Sequence, residues 1–198
     1  MSIPNLILTS SFNTIAKKLF DNALLPKHAL VAFIPTASNP YTEHPWVEKD
    51  REALVGLGYE VTDVDLENRN EEELKKDLAS ADIIFVAGGN TTYLTEQSHR
   101  SGLHNIIRSL LHQGKMYIGS SAGSLLAGPS AEPFVEEDSV ELPAGFVLSD
   151  PTCFGLVDYI VLPHYPLHAK ENDSVMETYG DKFHYVKMTD VDYRMEMI

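Results

Sequence analysis

At 198 residues, with 43% hydrophobic and 22% charged side chains, the chain has an ordinary globular composition and length enough to bury its own core. One domain over residues 1–198 is expected. The formal net charge of −14 repels nucleic-acid phosphates and anionic lipid, so neither nucleic acid nor membrane is an expected partner.

No apolar run approaches the ~20 residues needed to cross a bilayer. The start, Met1-Ser2-Ile3-Pro4-Asn5, lacks the basic and apolar regions of a secretory signal. The single cysteine, Cys153, excludes an internal disulfide and favours a reducing compartment. A cytoplasmic protein is expected.

Short apolar runs alternate with amphipathic stretches along the first 120 or so residues, the pattern of a βα-type parallel sheet. Strands are expected at 5–8, 29–34, 60–64, 83–86 and 116–119. Helices are expected between them, at 13–22, 46–57, 71–80 and 92–111, with Gly102 a candidate break in the last. In 46–57, Trp46, Val47, Ala53, Leu54 and Leu57 share one face, whereas Glu48, Lys49, Asp50 and Arg51 are expected to face water. Gly56 and Gly58 stop that helix. Several strands are nearly continuous apolar runs, as required where helices cover both faces of a sheet. Residues 129–151 are rich in acids, proline and glycine and read as a long loop, a kind of segment that is usually functional or disordered. A strand at 159–162 ends at Pro163-His164-Tyr165, and 183–188 reads as a last strand.

The sharpest chemical signal is Gly119-Ser120-Ser121-Ala122-Gly123, directly after an expected strand and before a small-residue helix start. A G-x-S-x-G turn of this kind holds its serine in a strained backbone, and the flanking glycines remove Cβ atoms that would collide there. The following helix aims free N–H groups and its positive end at the serine, where negative charge develops during acyl transfer. Ser121 is therefore the candidate nucleophile; Ser120 and Ser124 lack glycine on both sides. The bland alternative is a Gly/Ser turn that binds phosphate or only reverses the chain. A second glycine turn, Gly88-Gly89-Asn90-Thr91, ends the strand at 83–86. In an open parallel sheet both turns sit on the same rim. Gly88, Gly89, Asn90 and Ala122 are thus candidates for the oxyanion and substrate-binding groups, although Asn90 or Thr91 could simply cap the next helix.

A serine hydroxyl needs a base. Of eight histidines, His164 alone follows an expected strand at its carboxyl end; His168 is the weaker rival. The acid that orients the base is less determined. Asp190 and Asp192 follow the last expected strand and are the favoured pair, with Asp158, Glu141 and Asp138 also open.

Thr9-Ser10-Ser11, Phe33-Ile34-Pro35-Thr36-Ala37, Gly88-Gly89-Asn90-Thr91, Gly119-Ser120-Ser121-Ala122-Gly123 and Leu162-Pro163-His164-Tyr165 together resemble the dipeptidase E and cyanophycinase family of serine peptidases. The resemblance implies a three-layer α/β/α sandwich with a mostly parallel sheet, flavodoxin-like and related to class I glutamine amidotransferases. It also implies an acyl-enzyme on Ser121 with His164 as base, a small peptide substrate, and no metal or cofactor. Length resembles the dipeptidase branch. An aspartyl substrate would call for an arginine, yet after His164 only Lys170 comes early and no arginine appears before Arg194. Two alternatives use the same fold: an esterase or other acyl hydrolase, and a catalytically inactive small-molecule-binding member. A homodimer is left open.

Overall fold

The structure is a computed structural model that describes residues 4–198; the first three residues, part of the segment read for a leader, lie outside them. In chain order the elements are β1 (Leu6–Thr9), α1 (Phe12–Asp21), β2 (Leu30–Ile34), α2 (Pro45–Gly56), β3 (Glu60–Asp63), α3 (Glu71–Asp77), β4 (Ile83–Val86) and α4 (Thr91–Arg100). There follow α5 (Leu103–His112), β5 (Met116–Ser120), α6 (Ala122–Leu126), α7 (Val135–Asp138), β6 (Tyr159–Leu162), α8 (Ala169–Tyr179), β7 (His184–Lys187) and β8 (Tyr193–Glu196).

Six strands form the main sheet in the order β3-β2-β4-β5-β1-β8. All its pairings are parallel except that of β1 with β8. Because side chains alternate across a strand, each inner strand feeds two cores. Ile7, Phe33, Phe85 and Ile118 pack with Phe12, Leu19 and Leu54 of α1 and α2. Leu8, Ile34, Val86 and Tyr117 pack on the opposite face with Leu74, Leu94, Ile107 and Leu126. Helices on both faces of a mostly parallel sheet give the expected three-layer α/β/α arrangement.

The parallel strands β1, β4 and β5 end side by side, so Ser10, Gly88 and Ser121 leave the sheet on one rim. β8 runs the other way, with Tyr193 opposite Thr9 and Glu196 opposite Leu6. The residues just before β8, Asp190 among them, are therefore delivered to that same rim.

The stretch 92–111 is two helices, divided at the candidate break Gly102, whose φ of +81° and tight approach to Glu71 favour a residue without Cβ. Three features depart from the sequence reading. The strand at 159–162 pairs with β7 in a separate two-stranded parallel sheet, and the main sheet gains β8 at its edge instead. α8 and β8 are additional elements. Asp50, expected in water, is only 2% exposed. Its Oδ1 accepts from both the backbone N–H and the side-chain amide of Asn13 at 2.9 Å, which ties α2 to the start of α1.

Candidate active site

Ser121 sits between β5 and α6 with φ +50° and ψ −112°, a conformation that costs a β-carbon-bearing residue on the order of 1–3 kcal/mol. The turn is over-determined. Ser121 N–H donates to the Thr9 carbonyl at 3.0 Å, and Ser124 N–H donates to the Ser121 carbonyl at 2.7 Å. The Ser124 hydroxyl donates to Thr9 O at 2.7 Å and accepts from Thr9 N–H at 2.9 Å. Both flanking glycines are sterically required. A Cβ on Gly119 would lie 2.6 Å from the Gly123 carbonyl carbon, and one on Gly123 would overlap the Val86 carbonyl oxygen.

His164 follows β6, also with a positive φ of +57°. Its backbone N–H donates to Ser10 Oγ at 2.7 Å. That hydroxyl donates in turn to Asp190 Oδ1 at 2.9 Å. The imidazole is bridged on both nitrogens: Nε2 lies 3.0 Å from Ser121 Oγ, and Nδ1 lies 2.7 Å from Asp190 Oδ1. A proton on Nδ1, held by the carboxylate, leaves Nε2 as the acceptor facing the serine. The structure thus brings together Ser121, His164 and Asp190, three side chains drawn from β5–α6, the end of β6 and the approach to β8.

The other candidate acids lie elsewhere. Asp192 accepts from both the N–H and the hydroxyl of Thr189 at 2.7 Å, bonds that hold its carboxyl below the usual range. It makes no bond to His164 among the described residues, so of the favoured pair only Asp190 meets the base. Asp138 accepts from Thr92 N–H at 2.7 Å and Thr92 Oγ1 at 2.8 Å, and burial pushes it up to about 6. Asp158 and Glu141 form no bond to His164 either. His168 stays near, its ring 5.9 Å from that of His164.

On the facing turn, Gly88 packs directly against the nucleophile: a Cβ there would lie 3.1 Å from Ser121 Cβ. The Gly88 carbonyl accepts from the Trp46 indole N–H at 3.0 Å. Since N–H and C=O of one trans peptide point oppositely, that bond turns the Gly89 N–H away from Trp46. Gly89 has φ +149°, and a Cβ would overlap the Ala37 carbonyl. Among the described residues, the backbone N–H groups of Gly88, Gly89 and Ala122 donate no hydrogen bond, which leaves three donors at the rim. Asn90 differs from its expected role. Its backbone N–H goes to Ala37 O, its carboxamide oxygen accepts from Tyr93 N–H, and its amide nitrogen donates to Asp138 O. It is a fully buried helix cap.

Ser10, Gly88, Gly89, Ser121 and His164 border one cavity of about 430 Å³, which also has Tyr41, Trp46 and Phe134 in its wall. The segment 129–151, read from the sequence as a loop, holds the short helix α7 and contributes Phe134, Glu137 and Asp138. Ser10, Trp46 and Asp50 are site residues that sequence reasoning did not assign. Among the described residues no cluster of three His, Cys, Asp or Glu side chains is placed to hold a metal ion, and no helix is long and apolar enough to cross a membrane.

Comparison with known proteins gives the family and a matching fold. Residues 6–189 match the model of peptidase family S51. The chain belongs to peptidase family S51. It is similar to an uncharacterised peptidase of Pasteurella multocida strain Pm70, 34% identical over 160 residues that cover 81% of this chain and 76% of that one. Peptidase E of a Nostoc species is 32% identical over 171 residues, covering 83% of this chain and 66% of the relative. A crystal structure from Listeria monocytogenes EGD-e, provisionally assigned as a peptidase E protein, superposes with TM-score 0.84 at 29% identity, covering 98% and 94% of the two chains. This S51 chain is thus a serine peptidase by family and a three-layer α/β/α sandwich by architecture.

Proposed function

We propose that this S51 peptidase cleaves short peptides, dipeptides among them, through an acyl-enzyme on Ser121. His164 Nε2 takes the hydroxyl proton as Ser121 Oγ attacks the scissile carbonyl. Asp190 holds the imidazole by Nδ1 and stabilises the imidazolium that forms. The oxyanion meets backbone N–H groups from Ala122 and from the Gly88-Gly89 turn, donors already fixed before charge develops. His164 then returns the proton to the departing amine. In the second half, water loses a proton to His164 and attacks the acyl carbon, which frees the product acid and Ser121.

The observation that carries this reading is the continuous bridge Ser121 Oγ–His164–Asp190, at 3.0 and 2.7 Å, on a serine with positive φ. Strain stored at a residue whose hydroxyl touches a base is the mark of a site built for reaction. The same reading takes residues 1–198 as one cytoplasmic domain in which protein groups alone supply nucleophile, base and oxyanion donors.

The test is digestion of a dipeptide library by wild type, Ser121→Ala and His164→Ala, with released amino acids quantified. Cleavage by wild type alone supports the proposal. Turnover of esters with no amino acid released from any peptide would instead support an acyl hydrolase, and peptide cleavage that persists in Ser121→Ala would eliminate Ser121 as the nucleophile.

A further inference from the structure

The cavity at Ser121 has a charge that its chemistry does not require. Its lining contains four carboxylates, Asp50, Glu137, Asp138 and Glu171, and no lysine or arginine. Two of the four have local tasks, since Asp50 is bonded to Asn13 and Asp138 to Thr92. Glu137 and Glu171 are exposed at the rim and form no hydrogen bond or ion pair among the described residues. Glu137 lies close enough to feel the charges of both Glu171 and His168, and the His168 ring is 5.9 Å from that of His164. Lys182 and Lys187, which follow α8 in the chain, are engaged by Glu132 and Asp173.

The field reaches the aromatic wall as well. Burial, helped by Glu141, Asp138 and Glu137, pushes the Tyr41 hydroxyl up to about 12, so Tyr41 stays neutral. Tyr41 packs edge-on against Trp46 with ring centroids 5.2 Å apart, and Leu125 and Phe134 add apolar surface to the same cavity. An apolar, aromatic wall leading to unpaired carboxylates suits a long aliphatic stem that ends in a cation, which can also rest on the aromatic faces. A carboxylate side chain in that place would meet like charges and no partner.

We infer that the residue this peptidase seats beside the scissile carbonyl carries a cationic side chain, lysine or arginine, whose stem lies on the Tyr41–Trp46 wall and whose charge faces Glu137 and Glu171. The inference rests on the serine peptidase reading and adds to it the substrate class.

The experiment measures kcat/KM for Lys-Ala, Arg-Ala, norleucine-Ala and Asp-Ala at low and high salt. Norleucine keeps the stem of lysine without its charge. Lysine and arginine peptides are expected to exceed the norleucine peptide by about tenfold, the scale for rim charges in partial contact with water. Asp-Ala is expected to be slowest. High salt should shrink the advantage, and so should the double variant Glu137→Gln/Glu171→Gln, a response that a purely structural role would not give. Norleucine-Ala cleaved as fast as Lys-Ala, a lysine preference unchanged in the double variant, or Asp-Ala as the best substrate would each overturn this inference while leaving the peptidase reading intact. Cleavage of none of the four would bring down both.

Discussion

Asp190 and Asp192 lie two residues apart and differ completely in surroundings, so exchanging each for asparagine should separate them sharply. Asp190 Oδ1 receives His164 Nδ1 at 2.7 Å and Ser10 Oγ at 2.9 Å. In Asp190→Asn, an amide nitrogen facing Nδ1 would favour the tautomer with its proton on Nε2, which cannot accept from Ser121. In the Ser-His-Asp systems where this change has been measured, it lowers kcat about 10⁴-fold, on the order of 5.5 kcal/mol of barrier. Asp192 only closes a turn onto Thr189. Its replacement should cost about 1 kcal/mol of stability and leave kcat within about threefold, since no interaction with the reacting groups is lost. Stopped-time hydrolysis of a good peptide, alongside thermal melts, measures both. The assignment of the orienting acid is refuted if Asp190→Asn retains kcat within about tenfold, or if Asp192→Asn is the more damaging change.

Ser10 acts through other residues: it positions Asp190 and accepts the N–H of His164. Ser10→Ala should lower kcat by roughly 10- to 100-fold, from two hydrogen bonds of about 1 kcal/mol or more each, and should shift the acid limb of the pH–kcat profile; an unchanged profile would exclude a positioning role. Gly123→Ala drives a Cβ into the Val86 carbonyl and should cost about 3 kcal/mol in urea unfolding, whereas Gly56→Ala, with open space around it, should be neutral or stabilising by up to ~1 kcal/mol; equal effects would contradict the elbow packing. Burial pushes the folded Asp138 carboxyl up to about 6, against about 3.9 unfolded. The folded chain therefore binds the extra proton between those values, and this contribution to stability is present below about pH 4 and lost as pH rises through 6. The stability difference between wild type and Asp138→Asn should change across that window by about 2 kcal/mol, and parallel curves would count against it.

The inner strands of the main sheet were legible because burial on both faces leaves apolar runs such as Ile83-Ile84-Phe85-Val86, all four fully buried. The elbow was legible because close backbone packing demands glycine at 119 and 123. β8 was not, because Tyr193-Arg194-Met195-Glu196 is a short edge strand that pairs on one side only, where charge is tolerated. α8 carries just Asn172 and Val175 as buried residues, too few for an apolar stripe. Asp50 sits in a locally charged run, Glu48-Lys49-Asp50-Arg51, and its burial depends on Asn13 of a neighbouring helix. Ser10 takes its role from partners 154 and 180 residues away. The choice between Asp190 and Asp192 likewise depends on how an antiparallel edge strand returns to the rim, a tertiary fact that local spacing does not encode.

The central claim is that the Ser121 hydroxyl is activated by His164, and a fluorophosphonate reads that activation directly, whatever peptide the enzyme prefers. Intact-mass and peptide-mapping spectrometry after exposure to the probe should find one adduct, on Ser121, and strongly slowed labelling in His164→Ala. An unlabelled protein, an adduct on another residue, or equal labelling rates with and without His164 would contradict the account.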